Sequence, residues 1–432
     1  MPSLSRRAVA LACLLASGMT FYYFALLLPS AHHARAAKGL DQGYAFGSDF
    51  YSVWLTSHQL LIRKENPYTA DMVRKMQVGL YGRVLDPQRA GEPPQNFARY
   101  PYPLYLDLFV APLGSLSFET ARIVNAVLLP MVFCATVLLW LSAVNFRLAP
   151  LNLFVLLSLS FATYPILEGL YALQVSLIVA ALIAASAACL VKRRLALAGL
   201  LLAAASIKPQ LISLPAVFLA LWAVNDWKTR KSFLLFFVGT IAFLFVVSEA
   251  ILPGWSATWI RTLFEYRKYN DPPLTRFLFG NLVGNLLALC LFSAAAVLAF
   301  RNRAANADSV QFVGTLVVTL AVTVPTLPST IAVYDQVLLV PAILWVLFRK
   351  NQILHGKLPV RFVGYLTITV VTWQWIAACG LDIWFLLFQK IPNSAWIVLP
   401  LRMTPAIPFA VIALCLLLRL EIMPAKAAAR SG

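Results

Sequence analysis

Charged residues are scarce in this sequence. Asp, Glu, Lys and Arg make up 12% of the 432 residues, whereas 61% are hydrophobic and the mean hydropathy is +0.78. A soluble domain carries about 25% charged residues, so the composition excludes that class. Many apolar runs have the roughly 15–25 residues that a helix needs to cross a bilayer, and the short alternating segments of a barrel are missing. The sequence therefore predicts an all-α, polytopic membrane protein.

Acidic residues are the scarcer of the two charged classes. There are 17 acidic and 35 basic residues, which gives a net charge of 35 − 17 = +18. The basic residues fall at every second connection between apolar runs, for example at 192–194, 228–231 and 301–303. The positive-inside rule places such connections in the cytoplasm. We therefore attribute the charge to membrane orientation and expect no nucleic-acid partner, because no basic patch carries interleaved aromatics.

The apolar runs predict about twelve spans with both termini in the cytoplasm. They lie at 8–29, 119–144, 150–164, 174–191, 195–207, 210–224, 232–252, 277–300, 310–325, 330–348, 360–379 and 397–419. Two of them, 150–164 and 195–207, are short for a full crossing. We expect a single domain over 1–432 in the cytoplasmic membrane, with a long first extracytoplasmic loop at 30–118.

Several motifs of cofactor and metal chemistry are missing. There is no HExxH, no CxxC among the six cysteines and no DxD pair, which argues against a metal site. Neither GxxxxGK[ST] nor GxGxxG before a strand occurs, which argues against ATP or a dinucleotide. We expect no cofactor.

The long first loop has its own helical pattern. Ser48 is a suitable N-cap for an amphipathic helix over 49–63, and Thr69 is one for a second helix that ends near Tyr81. Both are predicted to lie on the membrane surface. The segment YPYPLYLDLFVAPLG (100–114) is apolar but broken by prolines, and we interpret it as a half-inserted segment.

Polar residues that interrupt or border the apolar runs collect at the predicted outer face. They are Asp49, Arg99, Tyr100, Glu168, Gln174, Lys208, Gln210, the run 265–271 and Asp335. Each has a structural alternative: Lys208 could snorkel from a helix end, Gln174 could join two helices, and Asp335 could pair with a neighbouring span. Taken together they predict a site in which a carboxylate accepts a proton and cations hold a lipid phosphate.

Five motifs in this order give the chain a resemblance to a known family. They are DFYSVW with NPYT (49–54 and 66–69), RYPYP (99–103), ALQVS near YP (164–176), SIKPQ (206–210) and YDQVLLVPAIL (334–344). The sequence resembles the integral-membrane glycosyltransferases of the GT-C fold, in particular glycosyltransferase family 87. The resemblance implies an outer-face active site, a polyprenyl-phosphate sugar donor and inversion at the anomeric carbon, with mannose as the sugar by analogy.

The same resemblance implies roles for individual residues. Asp49 is the expected catalytic base, and Lys208 is expected near the donor phosphate. The polar residues at the predicted outer face and the quoted motifs together give the expected substrate-binding residues, which are Lys208, Gln210, Arg267, Lys268, Arg99, Tyr100, Tyr102, Glu168, Gln174, Tyr334 and Asp335. The expected partners are the lipid-linked donor, a glycolipid or glycan acceptor, and membrane lipids. The alternatives are a transporter or flippase of lipid-linked sugars, and a polysaccharide polymerase or ligase.

Overall fold

The computed structural model describes residues 4–40, 43–89, 92 and 99–428, with side chains as far as Arg419. These residues contain no β-strand, only an isolated bridge between Pro273 and Ser329. The helices are α1 Arg6–Phe21, α2 Leu28–Ala36, α3 Ser48–Arg63, α4 Ala70–Tyr81, α5 Tyr105–Gly114, α6 Phe118–Ala143, α7 Pro150–Phe161, α8 Tyr164–Tyr171, α9 Val175–Val191, α10 Leu195–Ala204, α11 Pro209–Asn225, α12 Trp227–Ile251, α13 Trp255–Tyr269, α14 Leu274–Arg301, α15 Val310–Thr326, α16 Val340–Leu347, α17 Lys350–His355, α18 Leu358–Phe388, α19 Ser394–Ile397 and α20 Ile407–Ala428. The predicted all-α class is confirmed.

Six helical segments of the described residues are long and apolar enough to cross a membrane, or up to seven if the bent pair α7–α8 forms one span. One of them joins α1 and α2 through the π-helical turn Tyr22–Leu27, and another joins α19 and α20. The six are Arg6–Ala36, Phe118–Ala143, Trp227–Ile251, Leu274–Arg301, Leu358–Phe388 and Ser394–Arg419. The chain is therefore a multi-pass membrane protein by helix composition. The other predicted spans fall on the bent pair or on apolar helices of 10–17 residues, so the count of twelve stays a prediction.

Burial separates the lipid-facing helices from the central ones. In α12 only Arg230, Phe233 and Ser248 are buried along 25 residues, and large apolar side chains cover its outer surface. In α15, by contrast, every residue from Phe312 to Thr326 is buried. An apolar exterior is stable in lipid, and a helix that is buried all round requires neighbours on every side. α15 packs on α11, α14 and α20, which lie around it.

The first loop folds onto the membrane helices. α3 and α4 occupy the predicted positions, and the Thr69 hydroxyl accepts a hydrogen bond from the backbone N–H of Met72, as predicted for an N-cap. The prediction for Ser48 is wrong: it is the first residue of α3, and Gly47 is the N-cap, in the left-handed conformation with φ 77°. α3 buries much of its surface against α5, the predicted half-inserted segment, which is a helix of 10 residues.

Candidate active site

The backbone before α3 fixes the position of Asp49. The Gly47 N–H donates to the carbonyl of Tyr171 at 2.9 Å, and the Phe50 N–H donates to the carbonyl of Ala172 at 3.3 Å. The first of these bonds comes from a residue with positive φ, which glycine adopts without the strain that other residues suffer. The start of α3 is therefore tied to the end of α8. A capping serine is not needed here, because the Gly47 turn itself sets the direction of the helix.

Gln174 approaches Asp49 from the other side of this junction. Leu173 adopts φ 54°, a costly conformation for a leucine, and it turns the chain from α8 into α9 with Gln174 as the N-cap. The Gln174 side chain then reaches Asp49, where its Nε2 donates to Oδ2 at 2.5 Å. Strain of this kind persists only where the surrounding structure holds it, and here the result is an oriented carboxylate.

Asp49 lies at a cavity of about 360 Å³ between the first loop and the membrane helices. Its lining residues are Arg35, Ser48, Asp49, Ser52, Val73, Met76, Gln77, Leu80, Tyr81, Arg99, Tyr100, Pro101, Tyr102, Glu168, Ala172, Gln174, Tyr266, Asn270, Ile331 and Tyr334. Seven of the sequence-predicted site residues are among them: Asp49, Arg99, Tyr100, Tyr102, Glu168, Gln174 and Tyr334. The lining combines two hydrogen-bonded carboxylates, Asp49 and Glu168, with tyrosines and arginines, which is suited to a polar ligand with hydroxyl groups and a charged group.

Lys208 and Asp335 lie outside the lining of this cavity and pair with each other. Lys208 Nζ is 2.7 Å from Asp335 Oδ1, and the two residues are only 4% and 1% exposed. The Ser176 hydroxyl accepts from Lys208 at 2.7 Å and donates to Asp335 at 2.5 Å, and it lies 3.4 Å from Gln174 Oε1. The predicted cation is therefore neutralised by the predicted carboxylate. The pair is connected to Asp49 through Ser176 and Gln174.

Burial raises the pKa of the Asp49 carboxyl above its ordinary value. The Gln174 hydrogen bond, the Lys208 charge and a hydrogen bond from Tyr334 lower it in part, and the Asp335 charge adds to the rise. A carboxylate with a raised pKa is a stronger base, provided that it stays ionised at the working pH. Asp49 can therefore accept a proton from a hydroxyl group in the cavity.

Two tyrosines beside Asp49 remain neutral hydrogen-bond donors. Burial raises the pKa of Tyr266 to about 12, and the charges of Asp49 and Asp335 contribute to the rise. Burial also raises the pKa of Tyr102 well above its ordinary value, again with a contribution from the Asp49 charge. Both phenols can therefore donate hydrogen bonds to a ligand in the cavity without carrying charge themselves.

The remaining predicted residues lie around the site in different ways. Arg99 forms a salt bridge of 3.0 Å with Glu265, and the Tyr100 hydroxyl donates to buried Asp107 at 3.0 Å. The Tyr23 hydroxyl donates to Glu168 Oε2 at 2.8 Å. Gln210, Arg267 and Lys268 are exposed and do not line the cavity.

Sequence reasoning missed several lining residues, chiefly Arg35 and Tyr81, and it named Tyr266 and Asn270 only as part of the run 265–271. A signal existed for Arg35, because it is a basic residue at the outer end of the first predicted span, where the positive-inside rule favours few basic residues. For Tyr266 the signal was its place in the polar run 265–271. Within the part of the chain that the structure describes, no group of three or more His, Cys, Asp or Glu side chains could hold a metal ion.

Comparison with known families decides the class of protein. The profile of glycosyltransferase family 87 matches residues 100–351, more than half of the chain. The chain belongs to glycosyltransferase family 87. The predicted resemblance is confirmed, and the chain is a glycosyltransferase enzyme, which sets the transporter alternative aside. Comparisons with curated proteins and with solved structures gave no match.

The region that matches family 87 contains half of the residues that line the cavity. It begins at Tyr100 and includes Gln174, Lys208 and Asp335, whereas Asp49 and Arg35 lie before it. The first loop therefore supplies Asp49 and one side of the cavity, and the matched region supplies the other side.

Proposed function

We propose that the protein transfers a hexose from a polyprenyl-phosphate-linked donor to a hydroxyl group of a glycolipid or glycan acceptor, with Asp49 as general base. By the family analogy the hexose is mannose. The observation that carries the proposal is the position of Asp49. It is a partly buried carboxylate, held by Gln174, at the edge of a polar cavity in a membrane glycosyltransferase.

The reaction in this proposal is a single displacement. The acceptor oxygen forms a bond to the anomeric carbon while its proton passes to Asp49. The bond from the anomeric carbon to the phosphate oxygen breaks, and its electron pair leaves with the polyprenyl phosphate. Attack opposite the leaving group inverts the configuration. One base is enough for this reaction, because a phosphate leaves as a stable anion once cations stabilise its charge.

The tyrosines and the amide of the site support binding of sugars. Tyr102, Tyr266 and Tyr334 surround Asp49 with phenol groups and ring faces, and Asn270 adds an amide. Lys208 lies 4.9 Å from the centre of the Tyr334 ring, so the buried ion pair also fixes this tyrosine. We propose that Lys208 and Asp335 act through Ser176, Gln174 and Tyr334 to hold the base in place.

The orientation proposed for the protein places the cavity on the extracytoplasmic side of the cytoplasmic membrane. Most of the cavity lining falls in connections predicted on that side, within 30–118, 165–173 and 253–276. Gln174, Ile331 and Tyr334 lie at the start of the predicted spans 174–191 and 330–348. Two basic connections lie together elsewhere, because Arg230 donates to the carbonyl of Arg303 at 3.0 Å. Counting as crossings the six long spans, the bent pair and the shorter apolar helices other than the half-inserted Tyr105–Gly114 gives twelve spans, which would place both termini in the cytoplasm. We propose that the whole chain is one membrane-embedded domain.

A donor comparison tests the proposed function. The purified protein in liposomes is given a radiolabelled hexose on a short polyprenyl monophosphate, on a polyprenyl diphosphate or on a nucleotide, with a total membrane lipid and glycan extract as acceptor. We expect labelled product from the polyprenyl monophosphate donor. Transfer from the nucleotide sugar alone would contradict the proposal.

A further inference from the structure

The leaving phosphate of the proposed reaction requires positive charge in the cavity. Among the residues that the structure describes, the lining contains two cationic side chains, Arg35 and Arg99. Lys208 is outside the lining and bound to Asp335, as described above. The exposed cations Arg267 and Lys268 are also outside it. The choice of phosphate ligand therefore lies between the two arginines.

Arg35 and Arg99 differ in how their charges are compensated. Arg99 Nε is 3.0 Å from Glu265 Oε2, so a carboxylate already holds it. Arg35 has no carboxylate within salt-bridge distance in the described part of the chain. Its Nη2 donates to the carbonyl of Leu40 at 3.2 Å, and its Nε is buried without a hydrogen-bond partner there. A buried donor without a partner is unfavourable, and an anion that enters the cavity would satisfy it.

The position of Arg35 suits the headgroup of a lipid. The long apolar helix Arg6–Ala36 ends directly after it, so Arg35 lies where a membrane span reaches the interface. Two contacts fix this end of the helix against α8: Tyr23 donates to Glu168 at 2.8 Å, and the His32 ring nitrogen Nε2 is 3.0 Å from the Tyr171 hydroxyl. The arginine is thus held at the end of an apolar span, where a bilayer interface with its lipid phosphates is expected.

Arg35 also lies near the catalytic side of the cavity. Its guanidinium carbon is 5.8 Å from the centre of the Tyr81 ring. The charges of Arg35 and of Asp49 both act on the Tyr81 phenol, whose pKa burial raises to about 12. Tyr81 therefore lies beside Arg35 and within electrostatic range of Asp49, and all three residues line the cavity.

We propose that Arg35 binds the phosphate group of the polyprenyl-phosphate sugar donor and stabilises the negative charge that develops on it during transfer. This inference rests on the proposed function, since it assumes a lipid-linked phosphate donor. Arginine suits the role, because its guanidinium offers two parallel N–H donors to two phosphate oxygens.

Direct binding measurements test the proposal without requiring turnover. The probes are farnesyl monophosphate, farnesol and inorganic phosphate, and the protein is the full chain in detergent micelles. The variants are Arg35→Gln and Arg35→Lys. Arg63→Gln is the matched control, because Arg63 is an exposed arginine at the end of α3 and does not line the cavity.

We expect Arg35→Gln to weaken farnesyl monophosphate binding by roughly 10- to 100-fold and to leave farnesol binding unchanged. Arg35→Lys should lose less of the affinity for farnesyl monophosphate, because lysine keeps the charge but cannot donate two parallel hydrogen bonds. The control should bind all probes as the wild type does. Retained farnesol binding also shows that the variants are folded.

Three outcomes would overturn the inference. Wild-type affinity of Arg35→Gln for farnesyl monophosphate would exclude Arg35 as the phosphate ligand and leave the proposed function intact. Equal loss of farnesol binding would show a structural role instead. A wild-type protein that binds farnesyl monophosphate no better than farnesol, or no better than inorganic phosphate, would contradict the lipid-phosphate donor itself.

Discussion

Replacing Lys208 with methionine removes one charge of a buried ion pair and keeps a side chain of similar length. Lys208 and Asp335 are almost fully buried and 2.7 Å apart. Removal of one partner leaves the other charge without compensation in a medium of low dielectric, which costs about 3–5 kcal/mol. We expect Lys208→Met and Asp335→Asn each to destabilise the protein by about this amount.

The double variant shows whether the ion pair between Lys208 and Asp335 accounts for the destabilisation of the single variants. In Lys208→Met with Asp335→Asn, neither charge remains, so the combined loss should be smaller than the sum of the single losses by about 2–3 kcal/mol. The assay is unfolding in mixed micelles by titration with SDS, followed by tryptophan fluorescence. Arg63→Gln serves again as the exposed control, for which we expect no change.

The same variants separate stability from binding of the donor. Sequence reasoning placed Lys208 at the donor phosphate, whereas in the structure Lys208 forms an ion pair with Asp335. If Lys208→Met were as stable as the wild type but bound farnesyl monophosphate much more weakly, the charge of Lys208 would serve the substrate. That result would refute the reasoning above.

Two further predictions concern the pH dependence and the topology. Gln174→Leu removes a hydrogen bond that lowers the pKa of Asp49, so that pKa should rise further. Because the base must be ionised, the acidic limb of the kcat/KM profile should move to higher pH. An acidic limb that does not move, or that moves to lower pH, would contradict the role of Gln174. The topology test uses a variant without the six native cysteines. A single cysteine in place of Arg267 should react with an impermeant thiol reagent added outside intact cells, and a single cysteine in place of Lys350 should not. Labelling at position 350 would overturn the proposed orientation.

The apolar runs of the sequence predicted most helix positions well. The runs near 119–144 and 232–252 match α6 and α12 closely. The reason is that the thickness of the bilayer sets the number of apolar residues that a spanning helix needs. Thr69 was recognised correctly as a cap, since that bond is local. The prediction of Ser48 as the N-cap was wrong because the start of α3 depends on a partner distant in sequence, the carbonyl of Tyr171.

The contacts within the site could not be read from sequence. Asp49 and Gln174 are 125 positions apart, and Lys208 and Asp335 are 127 apart. Motifs indicated that these residues belong to one site but gave no distances between them. The sequence therefore could not show that Lys208 pairs with Asp335, nor that Arg35 is the lining cation without a carboxylate partner in the described residues.

Turnover of Asp49→Asn with a polyprenyl-monophosphate hexose is the measurement that tests the central claim most directly. The substitution keeps the size of the side chain and removes the base, and general-base catalysis contributes about 10²–10⁴ in rate, or about 3–5.5 kcal/mol. Asp71→Asn is the control, because Asp71 is an exposed aspartate in the first turn of the neighbouring α4. We predict that Asp49→Asn lowers kcat by at least about a hundredfold and still binds farnesyl monophosphate, and that Asp71→Asn behaves as the wild type. Turnover of Asp49→Asn close to that of the wild type would contradict the account.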